Sequence, residues 1–320
     1  MPAISVIIPA YNSEKTIQKT INSVLGQNFT DLEVIVINDD SQDSTLDIVS
    51  QFNDSRLKIF SYPHGGGSLS RNRGFSHAVG EFVSFLDADD LWTLDKLKCQ
   101  LEALQRTPTA MVAYSWTDYI DESDRFLCAG THITANGDVY EQLLIANFLE
   151  NGSNPLIRRE AFSELGGFDE SLPAGQDWDM WLRLAARYHF VAVPAVQIFY
   201  RVSANSLSSH LLRQEQACLQ VLEKACQQRK PVFPDTYSQS VANIYKYLVC
   251  KSLQAPLHRQ KGFLGAIFLW KFFINDRYRF QRTYFTFKLL FKIMIILILP
   301  SSMAMSLLTS IKTAAASKSY

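Results

Sequence analysis

Short apolar runs alternate with amphipathic segments along the first hundred residues. Four of the runs are rich in β-branched or aromatic residues, which is typical of strands buried on both faces of a sheet. These runs are Ile4–Pro9, Leu32–Ile37, Leu57–Tyr62 and Phe82–Leu86. Between and after them, apolar residues recur at helical spacing and predict helices. The predicted helices cover about residues 14–25, 46–52, 69–79 and 94–104.

This fourfold alternation with short connections predicts an α/β fold, in which a mostly parallel central sheet is flanked by helices. Beyond about residue 110 the alternation weakens. The pattern there still indicates a strand at 111–120, helices at 139–149 and 177–188, and an apolar segment at Phe190–Tyr200. Ligands of such sheets bind beyond the carboxyl ends of the strands. We therefore expect the polar clusters that follow the strands to meet at one edge of the sheet.

The composition is that of a folded protein, because 47% of the 320 residues are hydrophobic and 19% are charged, which excludes disordered and collagen-like chains. The formal net charge of zero conceals an uneven distribution. Residues 1–220 contain 28 acidic and 16 basic residues, whereas residues 221–320 contain 3 acidic and 15 basic residues. We therefore predict an acidic domain over 1–210 and a basic, apolar, helical tail over 211–320 that faces an anionic partner.

Carboxylates directly follow two of the predicted strands. Asp87-Ala88-Asp89 follows Phe82–Leu86, and Mg²⁺ or Mn²⁺ is often held by such carboxylates together with substrate phosphates. A solvated acidic turn is the alternative. Asp39 follows Leu32–Ile37, where its carboxylate could accept a hydrogen bond from a base N–H or a ribose hydroxyl. The Ser and Asp residues after Asp39 fit a helix cap equally well.

Two further polar segments have both a functional and a structural interpretation. Gly65-Gly66-Gly67 is either a phosphate-binding loop or a flexible connection, and Arg71 or Arg73 on the following helix could face a base or a phosphate. The segment 176–179 (QDWD) begins an amphipathic helix. Its carboxylates complement the helix dipole, and Asp177 could also act as a general base. The pattern alone does not decide between these roles.

Taken together, six segments resemble the non-processive, inverting family 2 glycosyltransferases of the GT-A fold. They occur in the family's order between residues 4 and 208. They are ISVIIPAYNSEKTI, LEVIVINDDSQDST, GGGSLSRNRGFSHAVGEFVSFLDADDLW, LIRREAFSELGGFDESL, GQDWDMWLRLA and FYRVSANSLS. The resemblance implies a nucleotide-diphospho-sugar donor, in first place a UDP-sugar. It also implies a divalent metal, Mn²⁺ or Mg²⁺, and an acceptor hydroxyl that displaces the nucleotide in a single step.

The resemblance also implies roles for individual residues. Asp89 would bind the metal, Asp177 would be the catalytic base, and Trp178 and Asp179 would line the acceptor side. The nucleotide-sugar would contact residues at three strand ends and on one helix. These are Pro9, Ala10, Tyr11, Glu14, Asp39, Arg71, Asp87 and Ala88.

Three departures from the family pattern stand out. Asp40 occupies the position of the usual Gly, which makes the nucleotide preference less certain. Gln176 replaces the usual Glu before the base, which itself is kept. No Q/RxxRW motif follows Asp177, which argues against a processive polymer synthase.

The tail interleaves cations with aromatic and aliphatic stretches, and Ile293–Ile311 contains no charged residue. The interleaved cations favour insertion into the interface of an anionic membrane. A single spanning helix and a helical cap on the catalytic domain are the alternatives. Nucleic acid is not expected, because the cations alternate with apolar rather than polar stretches.

The cysteines are scattered without a CxxC pair, and the N-terminal apolar run is too short for a signal peptide. These features predict a cytoplasmic protein, peripheral or monotopic on the cytoplasmic face of a membrane. A sugar or lipid-linked sugar is the expected acceptor, in cell-surface polysaccharide or glycolipid assembly. A non-catalytic protein that binds nucleotide-sugars at the membrane is the alternative function. The oligomeric state is not predicted.

Overall fold

The computed structural model describes residues 1–203, 210–229, 234–254 and 257–316. The chain divides into two compact units. The first comprises Met1–Leu143 and Asn147–Ser203, and the second comprises Leu144–Ala146 and Ala204–Tyr320. The functional roles assigned to residues 1–210 and 211–320 stay predictions. Residues 204–208 of the FYRVSANSLS segment lie outside the described residues.

A mixed sheet organises the first unit. Its described strands are β1 (Ile4–Ala10), β2 (Leu32–Asn38), β3 (Leu57–Ser61), β4 (Phe82–Phe85), β5 (Leu91–Trp92), β6 (Ala110–Ile120), β7 (Phe126–Ala129), β8 (Leu156–Arg158) and β9 (His189–Arg201). They lie in the order β3-β2-β1-β4-β8-β6-β9-β5, and β7 pairs with β6. The α/β fold class predicted from the sequence is confirmed.

The two halves of the sheet are built differently. Strands β1 to β4 pair in parallel, as the alternation of strands and helices predicted. In the other half β8 is antiparallel to both β4 and β6, and β5 and β7 are antiparallel to their neighbours. Strands β6 and β9 pair in parallel. The sequence pattern did not predict β5, β7 or β8, because two to four residues are too few to show a period.

Helices cover the sheet of the first unit. They are α1 (Ile17–Leu25), α2 (Thr45–Ser50), α3 (Gly67–His77), α4 (Lys96–Arg106), α6 (Arg159–Glu164) and α7 (Gln176–Ala185), and α5 (Tyr140–Ile145) extends from it into the second unit. Ile4, Val6 and Ile8 of β1 are buried in a common core with the apolar residues of α1. Helix α3 approaches β1 closely at Gly74, where a Cβ atom would lie only 2.4 Å from Ile7 Cγ2. Glycine is required at this position.

The second unit is helical over its described residues. Its helices are α8 (Leu211–Gln228), α9 (Pro234–Ser252), α10 (Arg259–Asn275), α11 (Thr283–Ile298) and α12 (Ser301–Ala316). Helix α10 packs closely on α11, since a Cβ atom at Gly262 would lie 2.9 Å from Leu297 Cδ2. The charge-free run is divided at Pro300 between α11 and α12. Within the described ranges we find no helix that combines the length and the apolar character required to traverse a bilayer.

Candidate active site

The polar clusters that follow the strands meet at one edge of the first unit's sheet. Strands β1, β2 and β4 are mutually parallel, so their carboxyl ends lie side by side. Strand β6 points the same way, because it is antiparallel to β8, which is antiparallel to β4. We call this side of the sheet the carboxyl edge. It carries Tyr11, Asp39 and Asp87 at the ends of three neighbouring strands.

The end of β1 presents one exposed aromatic ring. Ala10 is buried, and its carbonyl accepts a hydrogen bond from the backbone N–H of Asp39 at 2.9 Å. The next residue, Tyr11, is 47% exposed. Its ring centroid lies 4.4 Å from that of His64. Tyr11 is thus a surface on which a planar group could stack, and His64 now occupies part of it.

Glu14 connects two loops of the carboxyl edge. Its carboxylate accepts a hydrogen bond from the backbone N–H of Ser44 at 3.1 Å, and its own N–H donates to Asp43 Oδ2 at 3.1 Å. Asp43 also accepts from the N–H of Thr45, which is the capping role expected at the start of α2. The sequence resemblance assigns Glu14 to the nucleotide site, whereas these contacts give it a structural task as well.

Asp39 lies in a nest of hydrogen-bond donors. The side chain is almost fully buried, and its two carboxylate oxygens accept from the backbone N–H groups of Gly65 and Gly66, both at 2.9 Å. His64 Nδ1 lies 3.0 Å from Oδ2, and Arg73 Nη1 lies 3.5 Å from Oδ1. The glycine loop therefore binds a carboxylate of the chain itself. A base or ribose that contacts Asp39 must share it with this loop.

The unusual Asp40 has a conformational explanation. Its φ of 63° is in the left-handed region that glycine adopts most easily. Aspartate is among the few other residues that tolerate this region. The chain therefore keeps the backbone path of the usual glycine while it places an extra carboxylate beside Asp39.

Arg71 and Asp87 form an ion pair at the centre of the carboxyl edge. Burial tends to lower the pKa of Arg71, but the charge of Asp87 and, more weakly, that of Asp177 keep the pKa raised. This influence places Asp177 near the pair. The backbone of Gly152 passes close by, since a Cβ atom there would lie 3.6 Å from both Arg71 Nη2 and Asp87 Oδ2.

The DADD segment gathers three carboxylates. Burial, followed by the charge of Asp87, raises the pKa of Asp89 to about 6. Burial and the charges of both neighbours raise the pKa of Asp90 well above its usual range. Ala88 is buried, and its carbonyl accepts hydrogen bonds from the hydroxyls of Thr16 (2.8 Å) and Thr20 (3.0 Å). The segment is thus firmly held, and it concentrates negative charge.

These residues fit a divalent cation that is bound jointly with a substrate. Over the described ranges, no three His, Cys, Asp or Glu side chains are arranged to hold a metal by themselves. Asp87 and Asp89 nevertheless provide hard oxygen atoms in a place where like charges repel. Mg²⁺ is commonly held by one or two carboxylates plus substrate phosphates. The donor set therefore suits a metal that takes its other ligands from a diphosphate and water.

Two residues for which the sequence predicted no role hold the DADD segment in place. Ser153 Oγ donates to Asp90 Oδ2 at 2.5 Å and accepts from the backbone N–H of Asp87 at 3.0 Å. The buried Arg201 donates from its N–H to Asp90 Oδ1 at 2.9 Å and from Nε to the carbonyl of Asp89 at 2.7 Å. Their partners are far away in sequence. Ser153 lies in the polar segment 150–154 and Arg201 is the last residue of β9, so no local pattern indicated their role.

Asp177 is the second residue of α7, at the positive end of the helix dipole. Burial raises the pKa of its carboxyl, whereas the backbone N–H of Trp178 and the charge of Arg71 counteract that rise. A partly buried carboxylate with a raised pKa is suited to accept a proton near neutral pH. Its location beside Arg71 and Asp87 brings together the residues that the resemblance assigned to base and donor.

Trp178 and Asp179 are both buried. Trp178 Nε1 donates to the carbonyl of Leu143 at 3.0 Å. Asp179 accepts from Arg183 Nε at 2.8 Å, and Arg183 also donates to the carbonyls of Leu165 and Gly167. These contacts favour a structural role in anchoring α7. The role of Trp178 and Asp179 on the acceptor side stays a prediction.

Comparisons with known proteins bear on the family of the chain. A family model described as "Glycosyltransferase like family 2" matches residues 5–251. The putative teichuronic acid biosynthesis glycosyltransferase TuaG of Bacillus subtilis is 31% identical over 65% of this chain and 82% of its own length. The UDP-Glc:alpha-D-GlcNAc-diphosphoundecaprenol beta-1,3-glucosyltransferase WfgD of Escherichia coli is 29% identical over 66% of this chain and 81% of its own length. An uncharacterized glycosyltransferase of Rickettsia felis is 30% identical over 59% of this chain, but the match spans only 33% of that relative's length.

Solved structures show the same fold at lower identity. Staphylococcus aureus TarS in complex with UDP-GlcNAc matches with a TM-score of 0.58 at 18% identity, over 89% of this chain and 92% of that chain. The mannosyltransferase PcManGT from Pyrobaculum calidifontis, in complex with GDP-Man and Mn²⁺, matches with a TM-score of 0.56 at 22% identity, over 84% and 74%.

Proposed function

We propose a reaction for this chain, which belongs to glycosyltransferase family 2 and is a glycosyltransferase. It transfers a sugar from a UDP-sugar to an acceptor hydroxyl with inversion at the anomeric carbon. The observation that carries this proposal is that Asp177, a carboxylate with a raised pKa in the first turn of α7, and Asp87 act electrostatically on the same Arg71. The name of the Escherichia coli relative contains UDP-Glc, and TarS has been solved with UDP-GlcNAc.

In this proposal, the residues of the carboxyl edge have distinct roles in binding the donor. Tyr11 offers its ring to the base, and Asp39 accepts a hydrogen bond from the base or ribose. Arg71 and Asp87 orient the diphosphate and the ribose. Asp89, with the diphosphate, would hold a divalent metal, which would supply positive charge for the departing nucleotide.

Asp177 removes the proton of the acceptor hydroxyl. The acceptor oxygen forms a bond to the anomeric carbon as the bond from that carbon to the diphosphate oxygen breaks. The nucleotide diphosphate leaves with the electron pair of the broken bond, and the proton remains on Asp177. General-base assistance of this kind contributes about 10²- to 10⁴-fold to the rate.

We also propose a lipid-linked sugar as the acceptor and a membrane surface as the place of the reaction. The acceptor in the name of the Escherichia coli relative is a sugar on diphosphoundecaprenol. In the second unit, exposed apolar residues recur along α10 at helical spacing; they are Phe263, Ile267, Trp270 and Ile274. A second such row runs along α11 and comprises Tyr284, Phe287, Phe291, Met294 and Ile298.

Cations accompany these two apolar rows. Arg277, Arg279 and Arg282 lie in the turn between α10 and α11, and Lys288 and Lys292 lie on α11. A surface that combines aromatic side chains with Lys and Arg matches the interface of a membrane that contains anionic lipid. On this proposal the enzyme works on the cytoplasmic face of a membrane in the assembly of a cell-surface polysaccharide.

A panel of nucleotide-sugars tests the reaction. The full chain and Asp89→Ala are incubated with each donor in Mn²⁺ and again in EDTA, and nucleotide release is measured. We expect release from a UDP-sugar with Mn²⁺, and loss of release with EDTA or in Asp89→Ala. The alternative function, a non-catalytic nucleotide-sugar-binding protein, predicts UDP binding by calorimetry without release from any donor. Absence of both release and binding would contradict both functions.

Vesicle sedimentation tests the membrane proposal. The full chain is mixed with vesicles that contain phosphatidylglycerol or only phosphatidylcholine, at low and high salt. We expect the chain to sediment with the anionic vesicles at low salt, and Trp270→Ser with Tyr284→Ser to weaken this binding. A matched control carries Tyr237→Ser, an exposed aromatic residue on α9. Equal recovery of all three proteins in the supernatant would contradict the proposal.

A further inference from the structure

A second group of polar and aromatic side chains lies along the carboxyl edge, apart from the residues assigned to donor and base. Ser84 of β4 is paired with Leu156 of β8, which is paired with Ala113 of β6. Beyond these pairs, the backbone N–H of Asp87 donates to Ser153 Oγ, and that of Ser115 donates to Asn154 Oδ1, so the segment 153–154 lies between Asp87 and the part of β6 that carries Trp116. Adjacent strands are about 4.8 Å apart, so β4 and β6, which are separated by β8, lie about 10 Å apart. This separation suits two neighbouring rings of a transferred sugar and its acceptor.

The loop 130–137 runs back along β6, from the level of Thr117 to that of Val112, and is fixed at three points. Tyr114 Oη accepts a hydrogen bond from the backbone N–H of Ala135 at 2.7 Å. Gly137 pairs with Phe190 of β9. The carboxylate of Glu150 accepts from the backbone N–H of Thr131 at 2.9 Å. These three contacts hold the loop against β6.

This loop presents His132 in a strained conformation. Its φ is 46°, in the left-handed region that few residues other than glycine adopt, although Asn, Asp and His do so more often than the rest. His132 Nε2 lies 2.8 Å from Asp118 Oδ1, and the imidazole stacks on Trp116 with the ring planes only 11° apart. The side chain is still 29% exposed. Within the described residues nothing is hydrogen-bonded to its other nitrogen, Nδ1.

Glu150 is strained as well, with a φ of 70°. Glu150 lies two positions before Gly152, which borders the Arg71–Asp87 pair. The hydrogen bond from the backbone N–H of Thr131 to Glu150 therefore connects the two residues with left-handed backbones, His132 and Glu150. The segment 150–152 then leads from Glu150 to the residues assigned to the donor. Strain of this kind is concentrated at functional sites, because the surrounding structure must maintain it.

We infer that His132, Asp118 and Trp116 form the binding site for the acceptor sugar, and that Glu150 is a positioning residue that holds the loop of His132. This inference rests on the proposed function. The acceptor is a pyranose with free hydroxyl groups, linked to a lipid diphosphate. One hydroxyl bonds to Nδ1 of His132, a second bonds to Asp118, and the ring lies against the imidazole that Trp116 supports. Carboxylates and imidazoles of fixed orientation beside an aromatic surface are well suited to such a ligand.

Steady-state kinetics with a defined acceptor probe test the site. The probe is N-acetylglucosaminyl diphosphate on a phenoxyalkyl chain, and the donor is the UDP-sugar that the panel identifies. The main variant is His132→Asn, because Asn tolerates the left-handed backbone. The matched control is His189→Asn, an exposed histidine at the start of β9 on the opposite edge of the sheet.

We expect His132→Asn to raise the KM for the acceptor probe about ten- to a hundredfold, because a hydroxyl group of the acceptor is left without its hydrogen-bond partner, with no comparable change in the KM for the donor. Asp118→Asn should act in the same direction, and His189→Asn should match the unaltered chain. An unchanged acceptor KM in a folded His132→Asn or Asp118→Asn protein would overturn the site. Lack of donor turnover in the unaltered chain would instead overturn the proposed function, so the two failures are distinguishable.

Discussion

The buried carboxylates of the carboxyl edge fall into two groups with opposite surroundings. Asp39, at the end of β2, is met by two backbone N–H groups, an imidazole and a guanidinium. Asp89 and Asp90, after β4, lie beside further carboxylates, and burial and like charge raise the pKa of both. One end of the site is thus electrostatically satisfied by the chain itself, whereas the other has an excess of negative charge.

This difference indicates that the carboxylate of Asp39 serves to recognise the donor, whereas the crowded carboxylates serve the chemical step. A carboxylate such as Asp39, whose oxygens already have hydrogen-bond donors, keeps a fixed geometry, which suits the recognition of a constant part of the donor. A crowded set of carboxylates gains free energy when it takes up a proton or a cation. Asp177, which has a raised pKa and lies near Arg71 and Asp87, belongs with this second group. The comparison predicts that substitutions in the second group affect turnover, whereas substitutions around Asp39 affect binding.

The largest effect is expected for Asp177→Asn. The amide cannot accept the acceptor proton, so transfer should fall about 10²- to 10⁴-fold. Binding of UDP with Mn²⁺ should persist, because Asp177 makes no contact with the nucleotide in this proposal. Transfer rates and calorimetry measure the two quantities. The matched control is Asp47→Asn, an exposed aspartate in the first turn of α2. Normal turnover of Asp177→Asn would exclude Asp177 as the base.

The parallel half of the site could be predicted from sequence because each of its features is local. Asp39 and Asp87 follow continuous apolar runs, and a parallel sheet necessarily brings such ends together. The sequence correctly predicts a loop at Gly65 and Gly66 before α3, but not that the backbone N–H groups of this loop donate to Asp39. Whether Gly65 and Gly66 face a phosphate or Asp39 depends on the loop's path, which no periodicity encodes.

The other half could not be predicted in the same way, because its contacts join residues that are far apart in the chain. Ser153 reaches Asp90 over 63 positions, and Arg201 reaches the same residue over 111 positions. His132 and Glu150 are defined by left-handed backbones, which composition does not reveal for residues other than glycine. The strands β5 and β8 are similarly short and are held by pairing rather than by propensity.

The next largest effect concerns stability and its dependence on pH. Burial raises the pKa of Glu150 to about 7, although the N–H of Thr131 and the charge of His132 oppose the rise. A carboxyl with a raised pKa in the folded state binds its proton more tightly there than in the unfolded chain. The free energy of unfolding therefore falls as pH rises from about 4.5 to 7, by up to about 3 kcal/mol from this group.

Glu150→Gln should remove this dependence. The amide carries no charge to desolvate and can still accept the bond from Thr131. Denaturant unfolding at pH 5 and pH 8 measures the difference between the variant and the unaltered chain, and contributions from Asp89 and Asp90 cancel because both proteins contain them. We expect the relative stability of the variant to increase at pH 8. Equal differences at the two pH values would show that Glu150 titrates normally.

A smaller effect is expected for Ser153→Ala, which tests how the crowded carboxylates are held. The hydroxyl connects Asp90 to the backbone N–H of Asp87, so its loss leaves two buried groups with one partner fewer. We expect a loss of about 2 kcal/mol in stability and a fall in kcat of about tenfold, as the DADD segment loses its fixed geometry. Ser163→Ala, at an exposed position on α6, is the control. A change in stability without a change in kcat would limit Ser153 to a structural role.

The smallest effect is expected at Asp39, where the carboxylate is already satisfied. His64 lies against the ring of Tyr11 and contacts one carboxylate oxygen of Asp39. The proposal assigns both of these groups to the base of the nucleotide. A donor must displace His64 from both, so His64→Ala should lower the Kd for UDP. A partly exposed hydrogen-bonded contact contributes about 1 kcal/mol, which corresponds to about a fivefold change. Calorimetry with UDP and Mn²⁺ measures it. A rise in Kd would mean that His64 holds the base instead of competing with it. The hydrogen-bond donors around Asp39 would then belong to the surface that binds the nucleotide instead of occupying the place of the nucleotide.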